Sequence, residues 1–193
     1  MDAPTSTRDR IVQAAMDLFW RKGYGSTSIA DILETAEVNS GSLYYFFKGK
    51  QELLVAVLEA YRDGIGPMLL EPSWGDVADP IEKIFALLGT YRRLLIETDF
   101  FYGCPIGSLA LELHEPDPDV RELIAANFTN WTGAVKQCLD QAGLAARTDT
   151  LALAELVLNV MEGGVMQTRT HRDIGHFDRA VGQLRHYLNC LKD

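Results

Sequence analysis

Apolar residues recur every three or four positions along most of the chain, and no stretch shows the strict alternation of a half-buried strand. Such spacing is typical of amphipathic helices. In the first predicted helix, which Ser6 caps and Gly23 ends, the apolar face includes Ile11 and Leu18. The pattern as a whole predicts an all-α protein of about nine helices.

Two short helices follow the first one. The second helix comes after the hydroxyl cluster at residues 26–28, and the third begins at Asn39 and ends near Phe46. About four residues link them, which is the arrangement of a helix-turn-helix. A longer fourth helix begins at Lys50. We therefore predict an N-terminal three-helix helix-turn-helix domain over residues 1–50.

The rest of the chain predicts five further helices in one larger bundle over residues 51–193. Their predicted ranges are 81–98, 105–113, 118–142, 148 to about 170, and 177–191. Two adjacent glycines, Gly163 and Gly164, fall inside the fourth of these helices, where each costs about 1 kcal/mol relative to alanine. Either that helix bends there or a neighbouring group packs closely against it.

Composition is that of an ordinary globular protein, with 193 residues, 47% of them hydrophobic and 23% charged. The first ten residues are polar and no apolar run reaches the roughly 20 residues that span a bilayer, which predicts a cytoplasmic protein. Three scattered cysteines give neither a disulfide framework nor a zinc site. Histidines and carboxylates lack catalytic or metal-ligand spacing, so we predict no enzyme activity, no metal and no cofactor.

Charge is distributed unevenly. The net charge is -9, of which residues 1–52 contribute -1 and residues 53–193 contribute -8. Lys48 and Lys50 follow the third helix, whose first turn presents backbone N–H groups that favour an anion. These local features can attract phosphate even though the whole molecule is acidic.

Roughly the first 60 residues resemble the N-terminal domain of the TetR family of transcriptional regulators, over the stretch IVQAAMDLFWRKGYGSTSIADILETAEVNSGSLYYFFKGKQELLVAVLE. The shared features are a capped amphipathic helix, a KGY stop, a Ser/Thr-rich helix start and a GSLYY recognition helix. The resemblance implies an all-helical homodimer, paired through its last two helices, whose third helix enters the major groove of a palindromic operator.

The resemblance also implies which residues contact DNA: Thr27, Ser28, Asn39, Ser40, Gly41, Ser42, Tyr44, Tyr45, Lys48 and Lys50. Many relatives have Lys or Arg where Ser40 stands, and most have His where Phe46 stands. Losing that cation predicts weaker phosphate attraction and a different base preference. The hydroxyl groups could instead serve only as helix caps, and the tyrosines only as packing residues.

The segment GCPIGSLALELHEPDPDVREL is similar to the C-terminal domain of one TetR subgroup. Cys104 precedes a predicted helix start, where the helix dipole stabilises a thiolate, so it is a candidate sensor of oxidants or electrophiles. The alternative is that Cys104 packs as a small hydrophobic residue.

Aromatic and soft side chains accumulate in the larger domain and predict a pocket for a mostly apolar or electrophilic small molecule. The candidate ligand-binding residues are Tyr91, Phe101, Cys104, Phe128, Trp131, Glu162 and Met166. The same aromatic residues could form ordinary core.

We therefore predict a ligand-responsive transcriptional regulator of the repressor type, which binds double-stranded DNA as a homodimer and is released by a small-molecule effector. The alternative is a helical ligand- or partner-binding module with a degenerate DNA-binding head, which the departures at Ser40 and Phe46 would explain.

Overall fold

The computed structural model describes residues 6–192, and every regular element in that range is helical, which confirms the predicted all-α fold. The α-helices are α1 Thr7–Lys22, α2 Ile29–Ala36, α3 Ser40–Phe46, α4 Lys50–Ile65, α5 Glu71–Trp74, α6 Pro80–Glu97, α7 Pro105–Glu112, α8 Pro118–Gln141, α9 Thr150–His171 and α10 Gly175–Lys192. A short 3-10 helix, Leu144–Ala146, follows α8.

Local side-chain chemistry sets the helix ends in the N-terminal region. The Ser6 hydroxyl accepts the Asp9 N–H at 3.1 Å, and the Asn39 side chain accepts the Ser42 N–H at 2.9 Å. Both are N-caps, as the sequence predicts. α1 ends at Gly23, whose φ of +84° lies in the left-handed region that favours glycine.

The helix that begins at Lys50 continues further than its sequence suggests. Glycine and proline at residues 64–67 disfavour a regular α-helix, and here the chain passes from α4 through a π-helical turn, Gly66–Leu70, into α5. Pro67 lacks an N–H and cannot complete the regular α-helical ladder, and a wider turn accommodates that loss.

The described residues form two compact units. The first combines the described part of Met1–Asp63 with Pro105–Asn127, and the second combines Gly64–Cys104 with the chain from Phe128 onward. α7 and the first part of α8 thus belong to the same unit as the helix-turn-helix. The domain boundary at residue 50 stays a prediction, because compactness alone does not define where a functional domain ends.

Each unit has its own apolar core. Fully buried side chains of the first unit include Ile11, Ile32, Leu43, Leu53 and Leu58. The Asn127 side chain of α8 donates to the Leu58 carbonyl of α4 at 3.0 Å. Fully buried side chains of the second unit include Ile84, Leu87, Leu88, Leu95 and Phe177.

The paired glycines of α9 do not interrupt the helix, which is continuous over Thr150–His171. A Cβ atom on Gly164 would lie 2.9 Å from Cδ2 of Phe177 in α10, whereas one on Gly163 would meet nothing within 4 Å. Close packing, one of the two alternatives given by the sequence, is therefore the reason for a glycine at Gly164.

Within residues 6–192 no helix has both the length and the apolar character that a membrane crossing requires. Residues 1–5, which form half of the polar N-terminal stretch, lie outside the described residues.

Candidate nucleic-acid interface and candidate effector site

α3 presents an outer face and an inner face of different chemistry. Leu43 is fully buried and Phe47 nearly so, and both hold the helix to the core of the first unit. Tyr44 and Tyr45 are 56% and 82% exposed, so they are not core residues of this chain. The outer face therefore carries two phenol groups that are free to contact another molecule.

The first turn of α3 is exposed at Asn39, Ser40 and Gly41, and Ser42 is half-buried. Asn39 already uses its side-chain oxygen to accept from the Ser42 N–H and, at 3.2 Å, from the Ser42 hydroxyl. The Asn39 cap is thus made within the chain. The other two residues of this turn, Ser40 and Gly41, are small.

Phe46, which replaces the expected histidine, is 38% exposed. Its ring meets the Tyr45 ring edge-on, with centroids 4.9 Å apart, and lies 6.4 Å from the Phe47 ring. Phe46 therefore supports an exposed tyrosine through aromatic contact, a role that requires no hydrogen-bond donor.

Two hydroxyl residues at the start of α2 have different surroundings. The Thr27 side chain is 1% exposed and donates to the Gly23 carbonyl at 2.7 Å, so it lies inside the unit. Ser28 is exposed and forms a capping box with Asp31. Hydrogen bonds from Ser28 lower the pKa of the Asp31 carboxyl. Of this pair, only Ser28 is part of the exposed surface.

The two lysines that follow α3 also differ. The Lys48 side chain is 91% exposed, with its Nζ 3.3 Å from Glu52. Lys50 Nζ donates to the carbonyls of Tyr24 at 2.8 Å and Thr27 at 2.9 Å, and lies 4.4 Å from the Tyr24 ring centroid. Lys50 thus binds the turn between α1 and α2, and its contact with phosphate stays a prediction.

A carboxylate that the sequence reasoning missed binds the same turn. Glu112, the last residue of α7, accepts the N–H of Tyr24 at 2.9 Å and that of Gly25 at 2.6 Å. Nearby, the Gln51 side chain donates to Asp117. The glycines of the turn could have suggested a close approach there, but no sequence signal points to a partner 87 or 88 residues away.

The second unit contains a buried polar cluster, which we define as Tyr91 of α6, Cys104, Trp131 of α8 and Glu162 of α9. Tyr91, Cys104 and Trp131 are 6%, 6% and 4% exposed. Burial raises the pKa of Tyr91 well above its usual value, and the neighbouring Cys104 and Glu162 raise it further. Four of the seven predicted ligand-binding residues are therefore neighbours in one apolar environment.

Glu162 is the acidic member of this cluster. Burial raises the pKa of its carboxyl, and a hydrogen bond from the Cys104 thiol partly offsets that effect. A raised pKa means that the surroundings favour the neutral acid over the carboxylate.

Two polar atoms of the buried polar cluster lack a hydrogen-bond partner. Glu162 Oε1 and Trp131 Nε1 are both buried and unpaired, although the indole lies near enough to the Tyr91 hydroxyl to lower its pKa. A buried unpaired polar atom costs about 1–3 kcal/mol. A ligand that carries both a donor and an acceptor would satisfy the two atoms.

The other three predicted ligand-binding residues are exposed or only half-buried. Phe101 and Met166 are 54% and 50% exposed, and Phe128 is half-buried. Phe101 meets Tyr102 edge-on, with ring centroids 5.0 Å apart. The structure therefore does not bring all seven residues together in the buried polar cluster.

Among the described residues, no group of three or more His, Cys, Asp or Glu side chains is arranged to hold a metal ion. The three cysteines are free thiols, with Cys104 and Cys138 buried and Cys190 exposed.

An exposed recognition helix in a helix-turn-helix, together with an all-helical second unit, defines the class of helix-turn-helix transcriptional regulators. Residues 11–57 match the family of bacterial regulatory proteins called tetR, and residues 80–183 match the C-terminal domain of LmrA/YxaF-like transcriptional regulators. The chain belongs to the TetR family of transcriptional regulators, as its sequence predicts, and members of this family are not enzymes.

Similar proteins span nearly the whole chain. The HTH-type transcriptional regulator YxaF of Bacillus subtilis is 28% identical over 174 residues, which cover 90% of each protein. LmrA of the same organism is 27% identical over 189 residues, covering 97% of this chain and 95% of LmrA. A TetR regulatory protein from Rhodobacter sphaeroides, known from a crystal structure, shares the fold with a TM-score of 0.81 at 22% identity, over 92% of this chain and 96% of that one.

Proposed function

We propose that this protein is a ligand-responsive repressor that binds a palindromic operator in the cytoplasm as a homodimer and is released by a small, mostly apolar or electrophilic effector. The family's regulators are generally DNA-binding repressors that respond to ligands. The observation that carries the effector part is the buried polar cluster, whose unpaired Glu162 Oε1 and Trp131 Nε1 lie among apolar and aromatic side chains.

The proposed DNA-contacting surface combines α3 with the exposed residues on either side of it. Its members are Ser28, Asn39, Ser40, Gly41, Ser42, Tyr44, Tyr45 and Lys48. Small polar groups suit close contact with phosphates and base edges, and the tyrosines suit the sugar-phosphate backbone or thymine methyl groups.

The proposed dimer interface lies on α9 and α10. Two leucines of these helices, Leu153 and Leu184, are buried within the chain itself. Leu151, Leu156 and Tyr187 are 47%, 41% and 45% exposed, and supply apolar surface for a second copy. In the DNA-bound dimer the two recognition helices would lie about 34–36 Å apart, one turn of DNA.

Operator binding is tested with the DNA immediately upstream of the protein's own coding sequence. Fluorescence anisotropy at about 50 and about 200 mM salt, with an unrelated duplex as control, measures affinity, specificity and salt dependence. We expect saturable binding that discriminates against the control and weakens with salt, because phosphate contacts release counterions. Equal binding to both duplexes at both salt concentrations would contradict a role for this DNA as operator.

The electrophilic class of effector is tested at Cys104. N-ethylmaleimide is added to the protein–DNA complex in a Cys190→Ser background, since Cys190 is the exposed thiol. We expect release of DNA from this variant and no release when Cys104→Ser is added. Release that persists without Cys104 would contradict its role as sensor and favour Cys138 or an effect outside the cysteines.

A further inference from the structure

The turn between α1 and α2 is bound on both of its polar sides. Its N–H groups at Tyr24 and Gly25 donate to the two carboxylate oxygens of Glu112, at 2.9 and 2.6 Å. Its carbonyls at Tyr24 and Thr27 accept from Lys50 Nζ, at 2.8 and 2.9 Å. We call this arrangement of Glu112, the turn and Lys50 the turn clamp.

The turn is shaped to admit the carboxylate. A Cβ atom on Gly23 would lie 3.0 Å from Glu112 Oε2, and one on Gly25 would lie 3.0 Å from Oε1. Both distances are shorter than ordinary contacts of a Cβ atom, so a side chain at either position would push Glu112 away. Two glycines on either side of one residue therefore leave the space that the carboxylate occupies.

The Tyr24 ring lies in the same arrangement. Partial burial raises the pKa of the Tyr24 hydroxyl, and the carboxylates of Asp117 and Glu112 raise it further. Gln51 of α4 donates to Asp117. Residues that precede α8 and that end α7 thus bind the turn and the start of α4 at two separate points.

The turn leads directly into the DNA-binding surface. Thr27 is buried and bonded to Gly23, and the next residue, Ser28, is the N-cap of α2 and is exposed. A shift of the turn therefore moves the first residues of α2. Because α2 packs on α1 and precedes the recognition helix, such a shift would change the placement of the phosphate-facing groups.

We propose that Glu112 is a positioning residue for operator binding, which holds the α1–α2 turn, and through it the start of α2, in the conformation that fits DNA. The proposal rests on the proposed operator binding. It makes the DNA-binding geometry depend on α7, a helix that lies outside the helix-turn-helix sequence but in the same compact unit.

Loss of the Glu112 carboxylate has two opposite expected effects on the affinity for DNA, one from its charge and one from its position. Removing a negative charge from a phosphate-binding unit favours DNA through long-range attraction. Losing the turn clamp disfavours DNA, because the turn no longer has a fixed conformation before binding and must be ordered at the time of binding. The sign of the change in affinity therefore separates the two.

The test compares Glu112→Gln with Glu115→Gln, which makes the same charge change at a nearby exposed residue. The glutamine at position 112 keeps one oxygen and places an NH2 donor against a backbone donor. With the upstream duplex, we expect E112Q to bind about tenfold more weakly, which corresponds to about 1.4 kcal/mol, and E115Q to bind as tightly as wild type or more tightly. Equal or tighter binding by E112Q overturns the proposal.

Hydrogen exchange provides a readout that separates positioning from general stability. In E112Q we expect faster exchange at the Tyr24 and Gly25 amides, with an unchanged thermal midpoint and unchanged protection of the Val57 amide in the core of α4. Unchanged exchange at the two turn amides, or loss of protection throughout the unit, overturns the proposal.

A second variant perturbs the turn clamp without changing any charge. Gly25→Ala places a methyl group against Glu112 Oε1, and Gly133→Ala on α8, which would meet nothing within 4 Å, is its control. We expect weaker DNA binding for G25A alone, and little further loss when it is combined with E112Q, because both remove the same contact. Additive losses in the double variant overturn the proposal.

The two proposals fail in different ways. Wild-type protein that does not distinguish the upstream duplex from the control contradicts the role of this DNA as operator, and the exchange of the Tyr24 and Gly25 amides in E112Q then still tests the role of Glu112 in holding the turn. Wild-type discrimination together with unweakened binding by E112Q contradicts the role of Glu112 alone.

Discussion

The two compact units differ in whether certain polar groups have hydrogen-bond partners. In the first unit, Glu112 and Lys50 each make two hydrogen bonds to one backbone turn. In the second unit, Glu162 Oε1 and Trp131 Nε1 are buried without a partner. The paired turn is already in a fixed conformation, which suits the DNA-binding surface that we propose for the first unit. Unpaired buried atoms cost stability, so the effector site that we propose in the second unit would gain from a bound molecule.

The tyrosines show the same difference. Tyr45 is 82% exposed on the recognition helix, whereas Tyr91 is 6% exposed and its pKa is raised well above the usual value by burial. The exposed phenol is accessible to the DNA that we propose as its partner. The buried phenol lies beside an acid and a thiol, and we propose that it orients a ligand there.

The largest effect that we expect follows from a charge at the start of the recognition helix. Ser40→Glu should weaken binding to the upstream duplex by about 100-fold, since like charges at an interface cost several kcal/mol. Stability should not fall, because an acidic residue in the first turn interacts favourably with the helix dipole. Ser40→Gln, of the same size without the charge, should bind within about threefold of wild type. Equal binding by S40E in anisotropy titrations would show that this turn does not face DNA.

Packing of the second unit is tested by its adjacent glycines. Gly164→Ala should lower the free energy of unfolding by about 1–3 kcal/mol, because its Cβ would lie 2.9 Å from Phe177. Gly163→Ala should raise it by about 0.5–1 kcal/mol, since that position is open and alanine has the higher helix propensity. Urea unfolding followed by circular dichroism measures both. Equal changes of the same sign would contradict the close contact between α9 and α10.

Removing the acid from the buried polar cluster should stabilise the protein. Glu162→Gln should raise the free energy of unfolding by about 1–2 kcal/mol at neutral pH, the range expected for a poorly satisfied buried group. The exposed Glu155→Gln on the same helix is the control and should have little effect.

The increase in the free energy of unfolding caused by E162Q should depend on pH in a defined direction. Because burial raises the pKa of Glu162 above its ordinary 4.5, the folded protein holds this proton more tightly than the unfolded chain does. The wild type is therefore destabilised as pH rises from 4.5 to the raised pKa of the folded state. The difference in unfolding free energy between E162Q and wild type should be largest above the raised pKa and vanish below 4.5. A difference that is constant between acid and neutral pH would mean that the Glu162 carboxyl has the same pKa in the folded and unfolded states.

The smallest effect concerns a single surface cation. Lys48→Ala should weaken DNA binding a few-fold and reduce the slope of log affinity against log salt by about 1, as expected for one lost phosphate contact. Lys136→Ala removes a similar lysine from the second unit, where it pairs with Asp140 at 2.6 Å, and should leave the slope unchanged. Equal slopes for both variants would place Lys48 outside the DNA contact.

Much of the first unit was predictable because its signals are local. Ser6 and Asn39 cap helices through residues three positions away, and Gly23 ends α1 with a positive φ. The inner face of α3 is formed by Leu43 and Phe47, which are four positions apart and both buried. Side chains that act within one turn of helix leave a trace at fixed spacing, which sequence reasoning detects.

The direction of individual side chains was less predictable. The resemblance implies phosphate contacts for Thr27 and Lys50, which stay predictions, and it does not indicate that the Thr27 hydroxyl donates to the Gly23 carbonyl or that Lys50 Nζ donates to two backbone carbonyls. A hydroxyl or an ammonium group forms hydrogen bonds with the partners that lie near it once the helices have packed. Spacing along the chain therefore identifies the type of group and not its partner.

The sequence by itself determined the all-helical fold, the helix-turn-helix, the family and the residue types of the candidate effector site, because periodicity and caps depend on neighbours within a few positions. Tertiary structure alone decided that α7 joins the first unit, that Glu112 binds a turn 87 or 88 residues away, and that Tyr91, Cys104, Trp131 and Glu162 form one cluster. These contacts join distant segments, and only the packing of apolar helix faces against one another determines which polar groups then meet.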